Sequence, residues 1–413
     1  MDREEEAALE LSARKLFPTL GAFTQWTLGR ALEEGIPRLY FLARDGWFPC
    51  RLARRLAAAW DLPVECRYLY GSRQAWRLPL YQEDHSLALD QLCGKGMAQT
   101  PEGILRRAGL TEEERQTVLG ELSLSGKELL LPKALKELKE NLGNCPRFWT
   151  FLDAHSRRTL PELEGYFRQE GLLAPVPWAV VDSGWMGSTQ ETLSRLLEVM
   201  GAARETLGFY AGLYRGPKSG KWDCFFFRPG KDLPVQAGME PSFFEAVFTA
   251  PQGMTLGYLR NETEVVPLLG EAPLQGERLA FLGEAFRALG EELAAAPRPQ
   301  NLCRRALEER PRAWALLHQV MTRPAREEAK ALGALLFSSW DEETSPLATF
   351  LTREELRRNC LTARLLLGKP SRESFWLPGT STLYEKNPTK QFAQWDRLRW
   401  VRVLAHAVRN IGH

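Results

Sequence analysis

No stretch of the sequence approaches the roughly 18 to 20 consecutive apolar residues that a membrane-crossing helix needs, so no membrane span is expected. Cysteine is sparse and scattered: Cys50, Cys66, Cys93, Cys145, Cys224, Cys303 and Cys360 form no CxxC pair. An odd, widely spaced set excludes a disulfide framework and reads as reduced thiols in a cytoplasm. The five histidines (His85, His155, His318, His406, His413) lie far apart, which excludes a local zinc motif. Charge of either sign is not in excess. At a net +2 the chain has no general pull on nucleic acid or an anionic membrane, and neither is expected as a partner. The N-terminal MDREEEAALELSARK is too charged for the apolar core of a secretory signal.

What is present is globular: 44% hydrophobic and 26% charged residues over 413 positions, enough for two ordinary domains or one large domain with insertions. Residues 6 to 35 carry Leu9, Leu16, Leu20, Phe23, Trp26 and Leu28 at helical spacing, and Gly35-Ile36-Pro37 stops the run. Leu39 to Ala43 is a short continuous apolar run, as expected of a strand covered on both faces. A helix from Trp47 to Trp60 and a second strand from Val64 to Tyr70 follow. Arg51, Arg54 and Arg55 read as a solvated helix face. Residues 84 to 170 are charged, helical and poor in β-branched residues, which reads as an insertion. The strand pattern resumes at Trp178 to Asp182, with a helix near 189 to 200 and strands at Leu207 to Leu213 and Trp222 to Phe227. Residues 240 to 268 predict a helix and a closing hairpin. From about 271 the chain reads as helical, broken at APRPQ and by a loop around KPSRESFWLPGTST. The basic amphipathic run RLRWVRVLAHAVRN near the end reads as a solvated or partner-docking helix. The expected fold is α/β with a mostly parallel sheet. Residues 1–83 and 171–270 make the core domain, 84–170 the helical insertion and 271–413 a helical C-terminal region.

Three strand exits carry chemistry: Ala43-Arg44-Asp45-Gly46, Gly71-Ser72-Arg73, and Asp182 through Gln190. Ligands of open parallel sheets bind at the C-terminal ends of strands, so the three loops are candidates for one site. In the third, Asp182 is followed by Gly184, Gly187, Ser188, Thr189 and Gln190. Glycines allow close approach of a ligand, and hydroxyls and N–H groups at a helix start receive an anion. That pattern suits a phosphate, with Asp182 available for sugar hydroxyls or a metal; an ordinary strand-to-helix turn accounts for the same residues. In the first loop, Gly46 permits a tight turn, Arg44 offers a planar fork for an anion, and Asp45 accepts from a hydroxyl or pairs with an arginine. A salt bridge of Asp45 with Arg44 or Arg73 is the structural alternative. Ser72 and Arg73 add a third anion-binding corner. Glu245 sits in an apolar helical stretch beside PSFF, where a carboxyl is costly unless paired or functional; Glu240 flanks the same stretch.

Together LYFLARDGWF, YLYGSRQAW, VVDSGWMGSTQETL, LGFYAGLY and FFEAVFTAPQGMTLGY, spread over about residues 18 to 290, resemble a bacterial module. It is found C-terminal to haloacid-dehalogenase-type (HAD) hydrolase domains in proteins of surface-polysaccharide and glycan biosynthesis. The resemblance implies a cytoplasmic role in sugar-phosphate or glycan metabolism. It does not carry the hydrolase activity. That chemistry needs Asp-x-Asp after a strand, whereas the exits here read Arg44-Asp45-Gly46 and Asp182-Ser183-Gly184. A fainter likeness is to type I phosphoribosyltransferases. It implies that Asp182 faces ribose, that Gly187, Ser188 and Thr189 cradle a phosphate, and that Arg44, Asp45 and Gly46 form a pyrophosphate loop. Ser183 stands where that family has a second acid, Met186-Gly187 replaces its Thr-Gly pair, and the loop is one residue short.

The expectation is a transferase-type enzyme that binds a phosphorylated sugar or nucleotide-like ligand. Asp45 and Asp182 are its catalytic candidates. Arg44, Gly46, Ser72, Arg73, Gly184, Gly187, Ser188, Thr189, Gln190 and Glu245 are its binding candidates, and Mg²⁺ is the metal such a ligand would bring. The alternatives are a non-catalytic module serving a HAD hydrolase or glycosyltransferase, and a phosphoribosyltransferase-like enzyme.

Overall fold

The computed structural model describes residues 1–94, 99–272, 276–338, 344–358 and 374–385, with eleven further positions between 388 and 404. Cys360, His406, His413 and most of the basic terminal run lie outside them. Helix α1 (Arg3–Glu33) begins earlier than its apolar periodicity implies. The Asp2 carboxylate accepts from the Glu5 N–H at 2.8 Å, and Glu4, Glu5 and Glu6 complement the helix dipole. Next come β1 (Arg38–Leu42), α2 (Trp47–Ala59), β2 (Glu65–Leu69) and α3 (Arg73–Arg77). Helices α4 (His85–Leu92), α5 (Pro101–Arg107), α6 (Glu112–Glu121), α7 (Pro132–Gly143) and α8 (Pro146–Glu170) fill the long segment before β3 (Trp178–Trp185). Then follow α9 (Ser188–Val199), β4 (Leu207–Leu213), β5 (Lys221–Phe227), α10 (Leu233–Gly238) and α11 (Pro241–Phe248). The hairpin β6 (Thr255–Arg260) and β7 (Val265–Leu269) leads to α12 (Gly276–Ala295), α13 (Leu302–Thr322) and α14 (Arg326–Gly333). Beyond these lie β8 (Leu336–Ser338), β9 (Thr344–Pro346), α15 (Arg353–Arg358) and α16 (Leu377–Tyr384). None of these helices is long and apolar enough to cross a membrane.

The fold is α/β. Five strands form one parallel sheet in the order β2-β1-β3-β4-β5. Side chains alternate between its two faces. Leu39 and Phe41 of β1, Ala179 and Val181 of β3 and Phe209 of β4 enter one core with α1, α2, α12 and α13. Tyr40, Leu42, Trp178 and Val180 enter the other, with Leu163 and Phe167 of α8 and Leu193, Leu196 and Leu197 of α9. With both faces covered, continuous apolar strands are required, which is the pattern β1 and β3 display. Helices α12, α13 and α14 are therefore a cover for the sheet, while Leu351, Leu356 and Trp395 form a small cluster of their own. Within the insertion, only the segment up to about Leu152 has a core of its own, built on Leu105, Val118, Leu142 and Phe148. The second half of α8 belongs to the sheet.

Two departures from the sequence-based expectation have local causes. The loop expected around KPSRESFWLPGTST contains α16, because Pro378 sits in the first turn, where its missing N–H costs nothing. The hairpin β8–β9, with strands of three residues, interrupts the expected run of helices.

Strands β4 and β5 are parallel neighbours joined by only seven residues, 214 to 220. The return must span about 20 Å of strand at ~3.3 Å per residue, so the connection is nearly taut and has no room for a helix. The buried Gln190 amide ties it down. Its Nε2 donates toward the Thr206 and Lys221 carbonyls (3.3 and 3.0 Å) and the Thr206 hydroxyl (3.0 Å), while its Oε1 accepts from the Tyr210 hydroxyl at 2.6 Å. Replacing Gln190 by Leu removes the acceptor of the buried Tyr210 hydroxyl and the donor to the Lys221 carbonyl, while Thr206 keeps its bonds to the Lys221 N–H and the Ser194 hydroxyl, and is expected to cost about 1 to 3 kcal/mol. Urea denaturation of the two proteins measures it.

Candidate functional site

The order β2-β1-β3 means that the chain leaves β1 toward one side for β2 and reaches β3 on the other. A reversal of winding opens a crevice between β1 and β3 at their C-terminal ends. Asp45, just past β1, and Asp182 and Ser183, in the last turns of β3, stand at that crevice. The Ser183 hydroxyl donates to Asp45 Oδ2 at 2.5 Å, joining positions 138 apart in the sequence. Strand β3 runs on to Trp185 because Gly184 and Trp185 pair with Gly212 and Leu213 of β4. The acid-bearing segment expected as a loop is thus held rigidly by the sheet.

A cavity of about 430 Å³ lies over these strand ends. Arg44, Asp45, Ser72, Arg73 and Asp182 all line it, as do Gly184, Ser188, Thr189 and Glu245. The three corners therefore meet in one place. The cavity wall does not include Gly46, Gly187 or Gln190, and each of these has a task within the protein. A Cβ on Gly46 would lie 2.5 Å from the Leu42 carbonyl oxygen, so this glycine permits the tight turn after β1. Gly187 caps α9 in the left-handed region, at φ +65°, against Pro217. Gln190 holds the β4–β5 connection. Arg54 and Arg55 of α2 are engaged away from the cavity, with the Cys66 carbonyl (2.8 Å) and Glu291 (3.1 Å). Glu240 pairs with Arg399 at 2.6 Å.

Other cavity residues were not singled out from sequence. Arg77 falls one helical turn after Arg73, a spacing readable from the sequence. Arg107 comes from α5 and Tyr81 from just after α3. Phe337 of β8 and Phe375, ahead of α16, come from the far end of the chain. Only the fold brings these to the cavity. Trp185 was quoted in a motif without a role; its Nε1 donates to Glu245 Oε1 at 2.8 Å.

Three carboxyls in so small a volume cannot all ionise freely. Burial raises the Asp182 carboxyl to about 7. Asp45 repels it further, while the N–H groups of Ser183 and Gly184 and the Arg73 guanidinium pull it down. Burial likewise raises Glu245 to about 8, with Asp45 and Asp182 adding repulsion and Arg73 and the Trp185 N–H opposing. Burial also raises Asp45, but its hydrogen bond from Ser183 and the charges of Arg44 and Arg73 all work against that. Asp45 is accordingly the carboxyl best placed to hold the negative charge, and Asp182 and Glu245 are the two held closest to neutrality. Arg73 is lowered by burial and sustained by Glu245, Asp182 and Asp45. The Arg44 guanidinium feels Asp45 electrostatically but makes no hydrogen bond or ion pair among the described residues. It is the cation most available to an incoming anion. The Ala43–Arg44 peptide bond is cis.

No group of three or more His, Cys, Asp or Glu side chains among the described residues is arranged to hold a metal ion. Asp45 and Asp182 remain the side chains that a substrate-borne Mg²⁺ would meet. No protein-family model matches the chain, and no curated protein matches it in sequence.

The raised carboxyls link stability to pH. In the unfolded chain they ionise near 3.8 and 4.5, and in the folded protein near 7 and 8. Between those limits the folded state binds more protons, so the stability these groups contribute is complete below about pH 4 and is lost as the pH rises to 8. The Asp182→Asn/Glu245→Gln double variant should lose less stability between pH 5 and 8.5 than the parent, by several kcal/mol and at most about 7. Urea titrations at the two pH values read the difference.

Proposed function

We infer that the protein is a transferase-type enzyme acting on a phosphorylated sugar or nucleotide-like substrate, with Asp182 and Glu245 moving the proton. One observation carries this reading: carboxyls poised near neutrality share a cavity at the sheet's crevice with guanidiniums that would hold an anion. Arg44 and Arg73, with the hydroxyls of Ser72, Ser188 and Thr189, would seat the phosphate. The start of α9 has no side-chain cap, which leaves its first N–H groups to a ligand. Asp182, as carboxylate, would take the proton of an acceptor hydroxyl as its oxygen bonds to the sugar carbon. The bond from that carbon to the phosphate oxygen breaks, and the phosphate leaves with the electron pair, its charge held by the arginines. Glu245, as the carboxylic acid, would donate its proton to the departing phosphate oxygen, its carboxylate then held by the Trp185 N–H, and the proton taken up by Asp182 would restore Glu245 through solvent once the products leave. The resemblance to a glycan-biosynthesis module supports the same substrate class, and a cavity of this size favours a ligand-binding role over a purely scaffolding one.

Sugar phosphates and inorganic phosphate should raise the melting temperature of the protein. Arg44→Ala should weaken their binding by about ten-fold to a hundred-fold, the worth of a hydrogen bond to a charged group, with little change in the melting temperature of the free protein. Asp182→Asn should keep binding within a few-fold and slow turnover by about a hundred-fold or more. Fluorimetric melting and calorimetric titration test the first two points. If no phosphorylated compound binds, or if Arg44→Ala binds as the parent does, the reading is wrong.

A further inference from the structure

The cavity has two unlike walls. Arg77 and Tyr81 follow β2, and Tyr81 lies in the core of the helical insertion, which also supplies Arg107. Opposite in origin, Phe337 and Phe375 pack against the core on the α1–α13 side of the sheet. Their ring centroids are 4.7 Å apart with planes at 52°, and both rings are only half-buried. Because the walls belong to different layers of the fold, a ligand that fills the cavity touches both.

Charge restricts what the polar side accepts. Four guanidiniums (Arg44, Arg73, Arg77, Arg107) face three carboxyls (Asp45, Asp182, Glu245). With every carboxyl ionised the surplus is 4 − 3 = +1; with only Asp45 ionised it is 4 − 1 = +3. A ligand bearing two or three negative charges matches that range, and a neutral sugar does not. Two accessible phenyl rings have little to offer sugar hydroxyls, whereas a planar base stacks on them.

Resting on the phosphorylated-ligand reading above, we propose that the cavity binds a nucleoside diphosphate, free or carrying a sugar. The base lies on the Phe337–Phe375 pair, and the diphosphate lies among Arg44, Arg73, Arg77 and Arg107. The aromatic pair then selects for the nucleoside and the arginines for the second phosphate. The rings come from the C-terminal region and Arg107 from the insertion, while Arg44 and Arg73 stand at the strand exits.

Calorimetric titration of the full chain with UDP, ADP, GDP, inorganic pyrophosphate and glucose 1-phosphate tests this. At least one nucleoside diphosphate should bind about ten-fold or more tightly than pyrophosphate. Phe337→Leu and Phe375→Leu, which keep apolar bulk but remove the ring, should each remove most of that advantage while leaving pyrophosphate affinity within about two-fold. Each variant is compared with its own pyrophosphate affinity, so general loosening of the fold weakens both ligands alike and counts against the proposal. Pyrophosphate or glucose 1-phosphate binding as tightly as every nucleoside diphosphate overturns the base-stacking role and leaves the phosphorylated-ligand reading standing. Failure of all five compounds to bind overturns both.

Discussion

The hydrogen bond from Ser183 to Asp45 spans the crevice between β1 and β3, and the rest of the site depends on it. A carboxylate set at the mouth of a parallel sheet has lost much of its water and must be repaid by donors. Ser183 supplies one from the neighbouring strand, so the geometry of the crevice and the ionisation of Asp45 are set together. Once Asp45 holds charge, it disfavours ionisation of Asp182 and Glu245. Burial is the larger cause of the raised carboxyls of those two residues, and the charge that Ser183 stabilises on Asp45 adds to it. The hydrogen bond also explains why a serine, and not a second acid, follows Asp182. A carboxyl there would add a fourth repelling group and remove the donor.

The arginines complete the electrostatic balance without cancelling it. Arg73 stands among all three acids, each of which favours its charged form. Arg44 lies beside Asp45 and makes no hydrogen bond or ion pair with the described residues. One guanidinium is thus balanced by the acids around it, and another stands beside Asp45. In a confined, low-dielectric cavity an unmatched cation attracts an anion more strongly than it would in water. By the same confinement, an anion placed there would raise the Asp182 and Glu245 carboxyls further and favour their acid forms.

The sheet was legible because a strand covered on both faces must be a continuous apolar run, and Leu39–Ala43, Trp178–Asp182 and Leu207–Leu213 are such runs. Strand β3 reached three residues farther than its apolar stretch, since its last pairs are made with Gly212 and Leu213, whose position no local pattern encodes. The corners at Arg44–Asp45, Ser72–Arg73 and Asp182–Thr189 could be picked out because polar residues at strand exits share an edge by topology. What each residue does there was less accessible. Gln190 and Gly187 look like ligand groups in sequence, but their partners are a taut connection and Pro217. Arg107, Phe337 and Phe375 lie in stretches whose local character is helical or irregular. Their place at the cavity follows from how the insertion and the C-terminal region dock, which depends on packing between distant segments.

That docking gives the fold a division of labour. Asp45, Asp182 and Ser183 sit on or beside strands β1 and β3, whose positions are fixed by backbone pairing on both sides, and Glu245 reaches them from α11. The outer arginine and the phenyl rings sit on a helix of the insertion and on short elements of the C-terminal region, where small shifts alter the fit of a ligand without disturbing the acids. The short β4–β5 return contributes to this separation. Because it is pinned by Gln190 rather than wrapped around a helix, the far side of the sheet adds no bulk at the crevice, and the opening above β1 and β3 is bounded by the insertion and the C-terminal segment. Residues held by the sheet and residues carried by the insertion and the C-terminal region thus come from different parts of one chain, and the crevice is the place where the two kinds of constraint meet.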